Sequence, residues 1–228
     1  MNGITDTSHS PGARLNALLA QAGLPPLTAE QTKSFEVYLA LLMRWNARLN
    51  LTAVRYEDGI LSRHFVESIA CARALPVGIG TLLDFGSGAG FPGIPIALYR
   101  PEIAVTLAES QGKKAAFLQE AVRVLGLQAR VHAARAEVLA QQFDCVTLRA
   151  VDRMAEAVRS AAGRVVPCGW LALMTTGAAQ EAVQTATGSG FAWQSPTPLP
   201  GGGDRILALA KREKEPDLPS DVFHVEHC

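Results

Sequence analysis

LLDFGSGAGFPGIPIAL, residues 82–98, sets four glycines and two prolines between two apolar runs. The first run, ending at Asp84 and Phe85, has the length and character of a buried strand. The second opens a helix at about Pro92, since proline's missing N–H is harmless in a first helical turn. Between them Gly86-Ser87-Gly88-Ala89-Gly90 forms a turn rich in residues that accept positive φ and let a ligand approach the backbone. A strand, a glycine turn and a helix in this order form the start of a βα unit. In open α/β sheets ligands sit beyond the carboxyl ends of such strands.

Downstream of Thr81 the same grammar repeats. IAVTLAE precedes GKKAAFLQEAVRVLG, ARVHAA precedes a short turn, FDCVTLR precedes MAEAVRSAAG, and WLALMTT precedes AAQEAVQTATG. Alternating short apolar runs and helical patterns imply an α/β fold, a mostly parallel sheet with helices on both faces. GFAWQS and RILALAK are separated only by PTPLPGGGD, too little for a crossover helix, so they form an antiparallel pair that supplies an antiparallel edge strand. Upstream the chain is helical. Thr28 and Gln31 form a capping box, followed by Phe35, Leu39, Leu42, Trp45 or Asn46, and Leu49 at helical spacing. A further helix runs from about Glu57 to Ala74 and ends at PVGIG. The organisation expected is a flexible N-terminus over 1–11, a helical extension over 12–76, a ligand-binding core over 77–212 and a flexible tail over 213–228.

Composition narrows the classes. Of the 228 residues, 48% are hydrophobic, enough for a substantial core, and no apolar run approaches the roughly 20 residues a bilayer span needs. The N-terminus lacks the charged start and apolar stretch of a secretory signal. Four well-separated cysteines, Cys71, Cys145, Cys168 and Cys228, form no metal-type pairs. Three of them lie in apolar contexts and read as small core residues, which suits a reducing cytoplasm. With 21 basic and 21 acidic residues, any nucleic-acid contact has to use a local patch.

Three ligands compete for the glycine turn. A phosphate-binding loop needs Lys-Ser or Lys-Thr after its last glycine, and Phe91-Pro92 stands there instead. A dinucleotide fingerprint can be forced onto Gly88, Gly90 and Gly93, but it puts Pro92 where a pyrophosphate wants a free N–H. The third pattern, Asp84-x-Gly86-x-Gly88-x-Gly90, resembles the first motif of Rossmann-like S-adenosylmethionine methyltransferases. An acidic residue before the turn suits a sulfonium and an ammonium and would repel a pyrophosphate, so Asp84 decides for this reading. At the tip of the second strand Glu109 lies where a carboxylate accepts hydrogen bonds from ribose hydroxyls, a feature dehydrogenases share. Ala136 and Glu137, after the third strand, fall at the adenine edge; an ordinary helix start, with an acidic residue against the dipole, explains them equally.

The fourth strand ends FDCVTLRAVDRM. It lacks the Asn/Asp-Pro-Pro-aromatic run of adenine amino-methylating enzymes. No cysteine is placed as the nucleophile a pyrimidine C5 enzyme needs, because Cys145 falls within the strand and Cys168 at the wrong end of the sheet. What stands there is Arg149, suited to guanine acceptors, a phosphate or a carboxylate. A purely structural alternative pairs it with Asp152 or Asp144.

RWNARLNLTAV, RHFVESI, LLDFGSGAGFPGIPIAL, TLAESQGKKAAFL, RAEVL and LRAV, in that order over about Leu27–Lys211, together resemble the small-subunit ribosomal RNA guanine-N7 methyltransferase family. This family is also called glucose-inhibited division protein B or methyltransferase G. The resemblance implies a Rossmann-like class I methyltransferase fold and transfer of a methyl group from S-adenosyl-L-methionine to N7 of one guanine in 16S ribosomal RNA within the small ribosomal subunit. By motif position the cofactor residues are Gly86, Phe91, Ala136, Glu137 and Arg149, with Glu109 on the ribose. No metal, membrane contact or obligate protein partner is implied. N7 bears a lone pair and no proton, so no general base is expected. Without the resemblance, a dinucleotide-dependent reductase and a bare RNA-binding module remain as alternatives. Arg44, Arg48, Arg55, Arg63 and His64, with a second group at Lys113, Lys114 and Arg123, are candidates for RNA docking. The terminal FHVEHC lies beyond the family pattern.

Overall fold

The computed structural model describes residues 10–149 and 154–214. Five helical elements precede the sheet among the described residues. Helix α1 (Pro11–Gln21) is capped by the Ser10 side chain, which accepts the N–H of Ala13. Helix α2 (Ala29–Leu49) begins with the expected capping box and ends at Asn50 in the left-handed region, φ 47°. The segment expected as one helix over 57–74 is three pieces: α3 (Glu57–Ile60), a π-helical turn over Leu61–Phe65, and α4 (Val66–Ala74). Such wide turns concentrate at functional positions, and this one carries Arg63 and His64.

The sheet begins with β1 (Thr81–Phe85), which the glycine turn joins to α5 (Gly93–Tyr99). Next come β2 (Ala104–Ala108), α6 (Gly112–Leu125), β3 (Arg130–His132) and β4 (Phe143–Arg149). Helix α7 (Met154–Ala162), β5 (Val165–Thr176) and α8 (Gln180–Thr187) follow. The chain closes with β6 (Phe191–Trp193), β7 (Thr197–Pro198) and β8 (Arg205–Arg212). Strand order is β3-β2-β1-β4-β5-β8-β6, with β7 also on β8. Strands β1–β5 pair in parallel, whereas β8 is antiparallel to both β5 and β6. The antiparallel pair stands at the edge as expected, with β8 as its inner member.

From β1 the chain winds outward through β2 and β3, then returns to β4 on the other side. The strand order therefore reverses between β1 and β4, where α/β sheets place their ligands. The glycine turn after β1 and Arg149 at the end of β4 flank that point.

One hydrophobic cluster runs from the helical segment into the sheet, including Leu15, Phe35, Tyr38 and Phe65 together with Leu82, Ile94, Leu107 and Phe117. Phe35, Leu39, Leu42 and Asn46 are the buried stripe of α2, with Trp45 half-buried. Trp45 Nε1 donates to Glu120 of α6 at 2.9 Å. Strand β5 starts five residues before the expected WLALMTT, in an irregular stretch where the register against β4 shifts and Cys168 adopts φ 64°. Cys71 and Cys145 are buried as expected; Cys168 is exposed, because that irregular stretch takes it off the packed face. No helix among the described residues is long and apolar enough to cross a membrane, and no metal-type cluster occurs among them. Asp152, Cys228 and the FHVEHC segment lie outside the described residues.

Candidate active site

The turn after β1 is held by backbone hydrogen bonds, two of them to the end of β2. The N–H groups of Gly86 and Ser87 both donate to the carbonyl of Ala108, at 3.0 and 2.9 Å, and those of Gly90 and Phe91 donate to the carbonyl of Ser87. At Gly90 (φ 92°) the reason for glycine is close approach: an added Cβ would stand 2.5 Å from Ile94 Cδ1 and 2.9 Å from the Tyr38 hydroxyl. Gly88 (φ 56°) differs, since its nearest neighbour to an added Cβ is 3.9 Å away. It faces room that a side chain would fill.

That room is a cavity of about 450 Å³ beyond the carboxyl ends of the strands. Gly86, Phe91, Glu109, Ala136, Glu137 and Arg149 all line it, brought from four separate strand ends. Leu51, Thr52, His64 and Lys114 are also part of the wall.

Glu109, nearly buried, receives the N–H of Gly88 on Oε2 (2.9 Å) and that of Gln111 on Oε1 (2.7 Å). It ties the glycine turn to the start of α6. Ala136 and Glu137 open a 3₁₀ turn over Ala136–Val138, Ala136 buried and Glu137 exposed. Arg149 is 11% exposed; its Nη2 donates to Glu67 Oε2 (2.7 Å) and to the carbonyl of Arg63 (2.9 Å). Its guanidinium carbon lies 6.0 Å from the Phe91 ring centroid, and its Nη1 is buried without a partner among the described residues.

Two expectations need correcting. Asp84 does not face the ligand, because its carboxylate is spent inside the fold. It is 1% exposed, and Oδ2 accepts the N–H of Gly93 (3.1 Å) while Oδ1 accepts the Thr147 hydroxyl (3.1 Å). It anchors the start of α5 to β1 and β4. Burial pushes its carboxyl up to about 6, with those hydrogen bonds opposing. Nor is Asp144 the partner of Arg149. Asp144 Oδ2 is taken by the N–H groups of Gly80 (3.0 Å) and Thr81 (2.8 Å). The partner is Glu67.

Three wall residues or supports were not singled out for the cavity in the sequence. His64 stacks on Phe91, centroids 4.7 Å apart at 23°, and its Nε2 meets the Thr52 hydroxyl at 2.8 Å. Burial first, then the charges of Arg149, Arg63 and Arg205, push its pKa down to about 3, so the ring is neutral at pH 7. Tyr38 of α2 stacks on Phe65 (5.2 Å, 8°) and donates its hydroxyl to the carbonyl of Ala89 in the glycine turn at 2.6 Å. Glu67 is 1% exposed on α4. The fragment RHFVESI carried two of these, but only the fold shows that His64 meets Phe91 and Glu67 meets Arg149 at the end of β4.

The family model for rRNA small subunit methyltransferase G matches residues 31–191. The chain belongs to this family. A ribosomal RNA small subunit methyltransferase G from Roseiflexus sp. (strain RS-1) is 46% identical over 136 residues, which is 57% of this chain and 58% of that protein. The chain therefore spans less than two thirds of that relative's length. The methyltransferase G of Stenotrophomonas maltophilia (strain K279a) is 44% identical over 173 residues, 72% of this chain and 77% of the relative. Among solved structures, a SAM-dependent O-methyltransferase from Thermotoga maritima superposes with TM-score 0.55 at 14% identity, over 78% of this chain and 73% of that one. A ribosomal protein L11 methylase from Lactobacillus delbrueckii subsp. bulgaricus gives 0.55 at 12% identity, over 64% and 77%. At these identities the likeness is of fold: the chain has the Rossmann-like methyltransferase architecture.

Proposed function

We propose that the protein transfers a methyl group from S-adenosyl-L-methionine to N7 of a specific guanine in 16S ribosomal RNA, on the small ribosomal subunit and in the cytoplasm. The observation that carries this reading is the convergence of Gly86, Phe91, Glu109, Ala136, Glu137 and Arg149 on one cavity in a chain of the methyltransferase G family. The site suits that cofactor. Its volume falls within the roughly 300–1,000 Å³ of small-molecule sites, and Gly88 leaves space that any side chain would occupy. Each Glu109 oxygen holds one backbone N–H and keeps a lone pair for a ribose hydroxyl. Ala136 and Glu137 stand for the adenine edge, and Arg149 Nη1 and His64 Nδ1 are buried polar atoms that have no protein partner among the described residues.

When bound, the cofactor supplies an electrophilic methyl carbon on a cationic sulfur. Guanine N7 carries no proton to remove, so the residues of this chain serve by alignment and by excluding water. The purine gains positive charge as it is methylated. His64, neutral at pH 7, adds none of its own, and Glu67 offsets part of the Arg149 charge, since it also pairs with Arg205.

The test is transfer of labelled methyl to purified small subunits and to naked 16S RNA, with digestion to mononucleosides. N7-methylguanosine from the particle is the expected product, and Arg149→Ala should lower turnover without loss of fold. Calorimetric heat with NADH and none with S-adenosylmethionine would assign the cavity to a reductase instead.

A further inference from the structure

A second cavity, about 320 Å³, adjoins the first and shares His64 and Arg149 with it. Its wall also joins apolar Met154, Met174 and Leu199 to polar and charged groups that include Thr175, Glu67 and Arg205. The partition between the two spaces is held by one carboxylate. Glu67 divides its oxygens, Oε2 to Arg149 Nη2 at 2.7 Å and Oε1 to Arg205 Nε. The topology explains how arginines 56 positions apart meet there. Arg149 ends β4 opposite Met174 of β5, and Arg205 begins antiparallel β8 opposite Thr176, so both emerge at the carboxyl rim of the sheet. Glu67 descends between them from α4 and is almost wholly buried.

A buried carboxylate that serves two guanidinium groups fixes their directions as well as their charge. Arg149 keeps Nη1 without a partner among the described residues and lines both cavities. Arg205, bound through Nε, leaves its Nη edge beside Gly201 and Gly203, whose added Cβ atoms would approach it to 3.4 and 3.6 Å. The smaller cavity thus offers apolar faces for a flat ring and guanidinium N–H groups for oxygen acceptors. This is what an extruded nucleotide requires.

We propose that the smaller cavity receives the acceptor nucleotide and that Glu67 is a positioning residue, holding Arg149 and Arg205 in register so that Arg205 grips the nucleotide's carbonyl or phosphate oxygen while the base faces the larger cavity. The inference rests on the methyltransferase reading above. Both Glu67 oxygens are engaged by the arginines, so it acts through them.

The test is a double-mutant cycle on full-length protein with unmethylated small subunits and labelled S-adenosylmethionine. Glu67→Gln and Arg205→Gln should each lower kcat about tenfold to a hundredfold, because misplacement by about an ångström costs that much. KM for the subunit should stay within about threefold, since docking lies on other surfaces. The double variant should fall no more than about threefold below the worse single one, as residues acting as a unit are not additive. Multiplicative losses, or single variants within about threefold of wild type, overturn the assignment. Thermal melting and cofactor calorimetry verify the fold. If Glu67→Gln does not fold, Arg205→Lys, which keeps the cation and loses the Nε donor, carries the test: wild-type kcat there overturns the proposal, and a comparable drop supports it. A wild-type enzyme that labels no subunit instead overturns the functional reading, and this one with it.

Discussion

Single carboxylates and one imidazole decide much of this site, and each has a measurable signature. Glu109 sits at the strand tip with its oxygens on the N–H groups of Gly88 and Gln111. Charge-assisted hydrogen bonds are worth about 1.5–3 kcal/mol. Glu109→Ala should therefore weaken S-adenosylmethionine binding about tenfold to a hundredfold by calorimetry; an unchanged titration removes the residue from the ribose. His64 and Asp84 set the pH response with opposite signs. His64 falls from its ordinary 6.5 to about 3 in the folded chain, so between those values the unfolded chain binds the extra proton. Its contribution to stability is full above pH 6.5 and drains away as pH falls. Asp84 rises from 3.8 to about 6, so there the folded chain holds the extra proton, and stability falls as pH rises through that window. The two slopes oppose each other over much of the acid range. Comparing His64→Gln with wild type in urea at pH 7.5, 6, 5 and 4 isolates one of them. Below pH 6.5 the wild type should lose ground to the variant by up to about 1.4 kcal/mol per pH unit. A difference that does not vary with pH would show that the imidazole is not held neutral.

Among the elements, the glycine turn depends on a neighbour far away in sequence. Tyr38→Phe preserves the ring stack with Phe65 and deletes only the 2.6 Å hydrogen bond to the Ala89 carbonyl. Leaving that buried acceptor without a donor costs about 1–3 kcal/mol. For a domain of this size the melting temperature should drop by about 2–10 °C, with weakened cofactor binding because the turn is no longer held against α2. A melting curve that overlays the wild type would refute the tether. This is also where legibility ended. Helices α2 and α6, the capping box at Thr28 and the βα alternation were all readable, because periodicity and capping chemistry act locally. The six cofactor candidates converge on one cavity because strand ends in a parallel sheet share a rim, a rule of topology rather than of contact. The π-helical turn, the tyrosine tether and the Glu67 clamp were not readable. The tether joins residues 51 positions apart and the clamp residues 82 and 138 apart, while the π-helical turn is a backbone irregularity that packing imposes. Asp84 was misread for a related reason. Its charge suggested a ligand, whereas burial gave it the N–H of Gly93 and the hydroxyl of Thr147.

At the scale of the whole molecule, the formal charge is zero, yet the proposed substrate is a polyanion. Binding must then come from where the arginines stand. Arg48, Arg55 and Arg63 are exposed on the helical segment, next to Leu51, Thr52 and His64 of the cavity wall. Arg44 is exposed too, but it is paired with Glu120 at 2.5 Å, so it is a weaker candidate for phosphate. Arg63 also lines the smaller cavity, which puts basic charge at the mouth of both spaces. Such an arrangement positions RNA without reading its sequence, because phosphate contacts carry register and affinity but no base identity. Each phosphate neutralised releases counterions, so affinity should fall linearly in log–log terms with salt. Replacing Arg48 and Arg55 with glutamine should flatten that slope by about two, one unit for each lost contact. Cofactor binding should be unaffected, because neither side chain lines the larger cavity. Filter binding of small subunits between about 50 and 200 mM salt reads this directly, since several phosphate contacts produce large changes over that range. A slope identical to wild type would move the docking face off the helical segment, toward Lys113, Lys114 and Arg123 of α6.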